Sequence, residues 1–236
     1  MNITVVNGNM RHGSTWHAAA AVVKALTENT PAAVTEFFLP RDMMHFCTGC
    51  FSCIQNGEHT CPHAASVAPI VKALLSADVI ILTSPVYGMA VSGQMKVLLD
   101  HLCFMWMSHR PSPQMFQKVA LVVTTTAGAG LGRAAKTMTD SLTYWGVQKV
   151  FTLKAPVAAM CWQDVKEKRQ NAIQKRAIVL AQKIRRAVKN IDQLPNPLFR
   201  SFFFYMMKGM MKKNTWNMTD KAHWEANGWL EGVKPF

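Results

Sequence analysis

Four of the six cysteines fall within fifteen residues, as Cys47-Thr-Gly-Cys50-Phe-Ser-Cys53 and, after seven more residues, Cys61-Pro62. Thiolates are nucleophiles and soft metal ligands. Crowded like this, with no secretion signal ahead of them, they read as metal, cluster or redox chemistry rather than a disulfide framework. Cys103 and Cys161 stand alone and are expected to be buried apolar residues. A second chemistry-bearing stretch is Asn7-Gly8-Asn9-Met10-Arg11-His12-Gly13-Ser14-Thr15. Its small and hydroxylated residues leave backbone N–H groups free and bring Ser14 and Thr15 to a helix start, where an anion is favoured. Gly8-x4-Gly13 has the spacing of a triphosphate loop, but Ser14 stands in the place of the lysine. A monophosphate held by hydroxyls and Arg11 fits better. A helix merely capped by Ser14 would use the same hydroxyl.

Two further stretches share this character. Thr83-Ser84-Pro85-Val86-Tyr87-Gly88 continues to Gly93, and its backbone N–H groups at Val86, Tyr87 and Gly88 suit hydrogen bonds to a heteroaromatic ring. Thr124-Thr125-Thr126-Ala127-Gly128-Ala129-Gly130 offers hydroxyls and close backbone approach. Asn9, Arg11, Gly13, Ser14 and Thr15 from the first loop would then meet Pro85–Gly88 and Thr125–Gly128 around one phosphate-bearing planar ligand. Flavin mononucleotide (FMN) has that shape. His12 sits in the first loop, His59 and His63 flank Cys61, and His109-Arg110-Pro111 could meet a nicotinamide phosphate or a substrate carboxylate. Met105-Trp106-Met107 reads as core or pocket wall.

The elements that must position these residues alternate along the chain. Apolar, β-branched runs at 3–6, 34–39, 79–83, 119–125 and 147–153 precede helical patterns at 16–28, 64–76, 94–107, 134–145 and 164–191. In the last helix Ile173, Ala177, Leu180, Ile184, Val188 and Ile191 form one stripe. Strand and helix in turn predict an α/β fold, a parallel sheet covered on both faces. In such sheets ligands bind beyond the carboxyl ends of the strands, where the three loops lie.

The run Asn7-Gly8-x-x-Arg11-x-Gly13-Ser14-Thr15, together with Ala77-Asp78-x4-Thr83-Ser84-Pro85-Val86-Tyr87 and Ser92-Gly93-x-Met95-Lys96-x3-Asp100, resembles the NADPH-dependent FMN reductase family of flavodoxin-like proteins. Trp145-Gly146-Val147 and Asp220-x3-Trp224-x3-Gly228-Trp229-Leu230 are similar to members with a C-terminal extension. Asn9 departs from the serine of many members, and His101 follows Asp100 where arginine is common. The resemblance implies a flavodoxin-like three-layer sandwich with a five-stranded parallel sheet of order 2-1-3-4-5. It also implies FMN as cofactor, NAD(P)H as cosubstrate, and a homodimer or tetramer. Electrons would pass to a quinone, a nitro or azo compound, a free flavin or a protein-bound cluster, with the flavin rather than a side chain as the reactive group. The cysteine motif resembles the iron–sulfur flavoprotein branch, whose C-x2-C-x2-C-x4-7-C pattern implies Cys47, Cys50, Cys53 and Cys61 as [4Fe–4S] ligands. Zinc also accepts four cysteines, usually as two separated pairs, and since many flavodoxin-like reductases keep similar cysteines without a cluster, redox-active or structural thiols are a third reading. An iron–sulfur electron carrier with a protein partner and a thiol-based redox-regulatory flavoprotein are the alternative functions.

Half of the 236 residues are apolar and 17% charged, which excludes intrinsic disorder. No apolar run approaches the roughly 20 residues of a membrane span, and the chain opens as a strand without a basic leader, so the cytoplasm is the expected location. The net charge of +13 is uneven: residues 149–236 hold 17 basic and 6 acidic side chains. That surplus suits an anionic partner, but no nucleic-acid motif accompanies it, which argues against nucleic acid. Two units are expected, an FMN-binding domain over 1–193 and a C-terminal helical extension over 194–236. The extension reads as one short amphipathic helix rich in Phe, Met and Lys plus a tail, packed on its own domain or a twin subunit, with an anionic membrane surface as the alternative.

Overall fold

Strand β1 (Asn2–Asn7) buries Ile3, Val5 and Val6 and lies between β2 (Ala33–Phe38) and β3 (Val79–Tyr87), parallel to both. The computed structural model describes residues 1–28 and 30–236. Beyond β3 come β5 (Val119–Thr126) and β6 (Lys149–Pro156), also parallel, giving the order β2-β1-β3-β5-β6. Among the parallel strands this is the expected order 2-1-3-4-5 of a flavodoxin-like sheet. β4 (Ala90–Val91) is an addition: it pairs antiparallel with the end of β3. β5 is buried at every position, as a central strand covered on both faces must be.

Helices α1 (Ser14–Thr27) and α6 (Glu167–Lys189) cover one face, over Ile3, Val5, Ile81, Leu121 and Val123. Helices α3 (Ala64–Ser76), α4 (Gly93–His101) and α5 (Leu131–Tyr144) cover the other, over Val6, Ile80, Leu82 and Val122. A single turn, α2 (Ser52–Gln55), interrupts the cysteine loop. Register completes the arrangement: Asn7 faces Thr83, and Pro85 faces Thr125, so the carboxyl ends of β1, β3 and β5 open side by side.

Several expectations are corrected. The third-strand stretch is not a free loop. β3 runs on through Pro85 to Tyr87, turns at Gly88 and Met89, both at positive φ, and returns as β4. Two central residues at positive φ are what a tight two-residue hairpin requires. The helix expected over 94–107 ends at His101 and gives way to a 3-10 turn, Cys103–Met105; its run of apolar residues hid the boundary. In α6 the innermost positions are Ile173, Ala177, Ala181, Ile184 and Ala187, with Leu180 and Val188 at the margin, so small residues let the helix approach the sheet closely. Cys161 is not a core residue; its thiol lies 2.9 Å from an Asp164 carboxylate oxygen.

The C-terminal segment forms two helices rather than one, α7 (Leu198–Lys212) and α8 (Met218–Ala226). Phe204, Met207, Met211, Trp224 and Trp229 make a third apolar cluster with Met107 and Phe116 of the α/β layers. Arg200 is buried there, donating to the Phe116 and Gly146 carbonyls at 3.1 Å and stacking over the Phe236 ring. The segment therefore packs on its own chain. Leu198, Phe202 and Met210 remain on its outer face. No helix among the described residues is long and apolar enough to cross a membrane.

Candidate active site

A crevice of about 240 Å³ opens at the carboxyl ends of β1, β3 and β5. The first loop lines it with Asn9, Arg11, Gly13, Ser14 and Thr15, the hairpin with Pro85, Val86 and Tyr87, and the loop after β5 with Thr125, Thr126 and Ala127. Gly88 and Gly128 do not line it; they shape the turns on either side. α1 begins at Ser14 with Gly13 in the cap position, no side-chain cap and no acid in its first turn. Ser14 is therefore not the cap that sequence alone allowed, and the first-turn N–H groups are left for an anion. Arg11 is the one charged residue among those lining the crevice.

The loops hold one another. Gly8 N–H donates to the Thr83 carbonyl at 2.8 Å, and a Cβ on Gly8 would sit 2.7 Å from that oxygen. The Ser92 hydroxyl donates to the Gly8 carbonyl at 2.6 Å and is itself within reach of Ser84. Thr15 and Thr125 hydroxyls meet at 2.6 Å in a buried contact that ties the first loop to the third. Asn9 donates to the Tyr87 hydroxyl at 2.8 Å and accepts from the Arg11 backbone N–H, so this asparagine links the anion loop to the hairpin. At Gly130, φ is 94° and a Cβ would fall 2.6 Å from Val86, so a side chain there would push the hairpin and the β5 loop apart. The result is a crevice of cross-braced loops whose lining mixes apolar side chains with hydroxyls and amides.

Residues 1–187 match the family described as NADPH-dependent FMN reductase. The chain belongs to that family. An iron–sulfur flavoprotein of Archaeoglobus fulgidus is 27% identical over 151 residues, which is 63% of this chain and 64% of that protein. One from Methanocaldococcus jannaschii is 35% identical over 102 residues, 42% of this chain and 51% of that one. The chain thus spans about half to two thirds of the length of these relatives. Among solved structures, an azoreductase from Bacillus anthracis superposes with a TM-score of 0.61 at 16% identity, covering 78% of this chain and 99% of that one. Identity that low speaks for a shared fold.

The crevice takes residues from beyond β6 too. Val157, Ala159 and Met160, after β6, line it, and Arg11 donates to the Met160 carbonyl at 2.9 Å. Trp16 lines it as well and donates to Glu36 at 3.1 Å. The strand-end rule could have pointed to the β6 loop; nothing in the sequence marked Trp16. His12 stacks on Trp16 with ring centroids 4.4 Å apart and is not a lining residue. Partial burial, and then the neighbouring His12, push the His17 imidazole below its ordinary value.

The four clustered cysteines lie away from this crevice. Cys47 and Cys50 are exposed; Cys53, on α2, and Cys61 are half-buried. Burial raises the Cys53 thiol pKa, and Cys61, Cys47 and Cys50 add to the rise while Arg110 opposes it, so the four thiols share one neighbourhood. Gly49 and Phe51, at φ 66° and 57°, curl the loop between them. Cys103 is also close, its pKa pushed up to about 11 chiefly by burial. His109 is held by the C-terminal segment through its Nδ1. It bonds Asp220 at 2.8 Å, and Arg110 spans from Asp220 to the carbonyls of Cys53 and Ile54.

Proposed function

We propose that the chain is an FMN-dependent NAD(P)H oxidoreductase. The observation that carries this reading is the uncapped start of α1, where first-turn N–H groups, Ser14 and Arg11 face a crevice otherwise walled by apolar and neutral residues. A dianionic phosphate suits that end, through backbone N–H groups, the Ser14 hydroxyl and the Arg11 guanidinium. Thr15 positions the loop through its contact with Thr125. Pro85, Val86 and Tyr87 on one side, and Thr125, Thr126 and Ala127 on the other, would hold the flat ring, with Gly88 and Gly128 shaping the turns behind them. When bound, FMN supplies hydride acceptance from NAD(P)H at N5 and onward electron transfer to a quinone, nitro or azo compound, or free flavin. The half-exposed Tyr87, steadied by Asn9, would pack against the ring. Protein loaded with FMN should oxidise NAD(P)H in the presence of a quinone, and an Arg11→Ala, Ser14→Ala variant should lose both flavin and turnover. Flavin retained without NAD(P)H oxidation would favour the carrier reading below.

A second reading rests on the cysteine neighbourhood. Cys47, Cys50, Cys53 and Cys61 would hold a [4Fe–4S] cluster, which supplies one-electron transfer when bound. Arg110 beside Cys53 would offset the negative charge of the thiolates. The protein would then pass electrons between flavin and a protein partner, or, without a cluster, respond to oxidants through its thiols. Iron and acid-labile sulfide in anaerobically purified protein separate these. Four irons per chain, lost on Cys50→Ala with FMN kept, support the cluster; their absence leaves the thiols as redox or structural groups.

A further inference from the structure

His101, the last residue of α4, is buried and its Nδ1 lies 2.8 Å from the Val97 carbonyl. A carbonyl only accepts, so Nδ1 carries the proton and Nε2 presents a bare lone pair. That lone pair faces the Nδ1 of His63, the residue just before α3, at 3.1 Å. The Cys61 sulfur completes the group: ligand atoms of Cys61, His63 and His101 all lie within 4.8 Å of one another. The short connection into α3 delivers Cys61 and His63, two residues apart, and the end of α4 delivers His101 to the same point.

We propose that Cys61, His63 and His101 form a mononuclear site for a divalent transition metal of the zinc class. Metal–nitrogen bonds of about 2.0–2.1 Å in a tetrahedron place two imidazole nitrogens about 3.3 Å apart, close to the separation present. A thiolate with two imidazoles is a borderline donor set, which selects zinc over magnesium or calcium. The Nδ1–H to backbone carbonyl bond on His101 is the outer-shell contact that fixes tautomer and ring orientation in metal-ligating histidines. His45, stacked on His63 at 4.8 Å, limits the rotation of that ring. On binding, the Cys61 thiol releases its proton to solvent and the His63 proton resides on Nε2, so that sulfur, Nδ1 of His63 and Nε2 of His101 are all lone-pair donors. The fourth position is open to water.

This site shares Cys61 with the cluster reading, so one chain holds one metal form or the other at that sulfur. It does not need Cys47 or Cys50. The test is titration of metal-free, FMN-loaded protein with Co2+ and Zn2+, following tetrahedral cobalt bands to the red of flavin absorption. One metal ion per chain is expected. His63→Gln and Cys61→Ser should each weaken it by more than about 100-fold, beyond what loss of an outer-shell contact costs. Cys47→Ala with Cys50→Ala should leave it unchanged. Flavin content reports folding in every variant. Metal binding that survives His63→Gln but is lost with Cys47 and Cys50 overturns the proposal and assigns the ion to the thiols. No stoichiometric metal also overturns it and leaves His63 and His101 as a hydrogen-bonded pair. Cluster assembly stands as a separate outcome: iron and sulfide uptake that survives His63→Gln supports the four-cysteine set whether or not the mononuclear site is found.

Discussion

Arg110 and Asp220, 110 residues apart in sequence, form a buried ion pair that joins the C-terminal segment to the cysteine loop. The same guanidinium donates to the carbonyls of Cys53 and Ile54, while Asp220 also accepts from Asn217 and bonds His109. Asn217 reaches the Ile54 carbonyl and Thr219 that of Gln55. The extension is therefore a clamp on the segment that carries Cys53.

Breaking one half of that pair should be costly, because it leaves the other charge buried and unpaired. Asp220→Asn should destabilise the protein by about 3–5 kcal/mol. It should also raise the rate at which Cys53 reacts with a thiol reagent. Urea unfolding and mass-resolved labelling check the two effects, and labelling confined to Cys47 and Cys50 would mean the loop holds without the clamp.

Removing the segment from Pro195 onward uncovers Met107 and Phe116, which α7 and α8 bury. The truncated chain should aggregate or self-associate, as seen by sedimentation. The milder Trp224→Ala, at a fully buried ring, should cost about 3–5 kcal/mol.

Gly130 faces Val86 where β3 and the β5 loop meet. Gly130→Ala places a side chain at positive φ and against that valine, so it should lower stability by more than about 1 kcal/mol. It should weaken FMN as well, since both walls of the crevice move. Gly132→Ala, on α5 with open space around its Cβ, is the control: it should leave FMN binding unchanged and hold or raise stability, by up to about 1 kcal/mol.

Burial lowers the His223 pKa from 6.5, outweighing the Pro111 carbonyl that its Nε2 contacts at 2.8 Å. The unfolded chain therefore takes up the proton first as pH falls. Stability should be level above 6.5 and decline below it, until the lowered folded value is passed. His223→Gln keeps a donor for Pro111 and should remove that part of the slope in urea midpoints measured from neutral pH to about pH 5.

Much of the crevice at the strand ends was legible because its parts are local. A strand, a glycine and hydroxyl loop and a helix start follow one another in sequence, and α3 at 64–76 was bounded by a proline before it and a strand after it. What escaped notice depends on distant partners. Pro85 suggested a loop, yet at Pro85 β3 is still paired with β5, and the strand carries Tyr87 into the hairpin. His101 lies forty residues from Cys61 and looked like an ordinary helix residue. Nothing near His109 in the sequence announces Asp220, which the fold of the tail brings to its Nδ1. Long-range pairing is what a single sequence conceals.

The central claim is that the start of α1 holds the phosphate of FMN. Calorimetric titration of flavin-free protein with FMN and with riboflavin, which lacks the phosphate, tests it directly. FMN should bind far more tightly, and Arg11→Ala with Ser14→Ala should erase most of that difference, at about 1.5–3 kcal/mol for each charged hydrogen bond lost, while leaving riboflavin unchanged. Equal affinity for the two flavins, or a preference for FMN that survives the double substitution, would contradict the account.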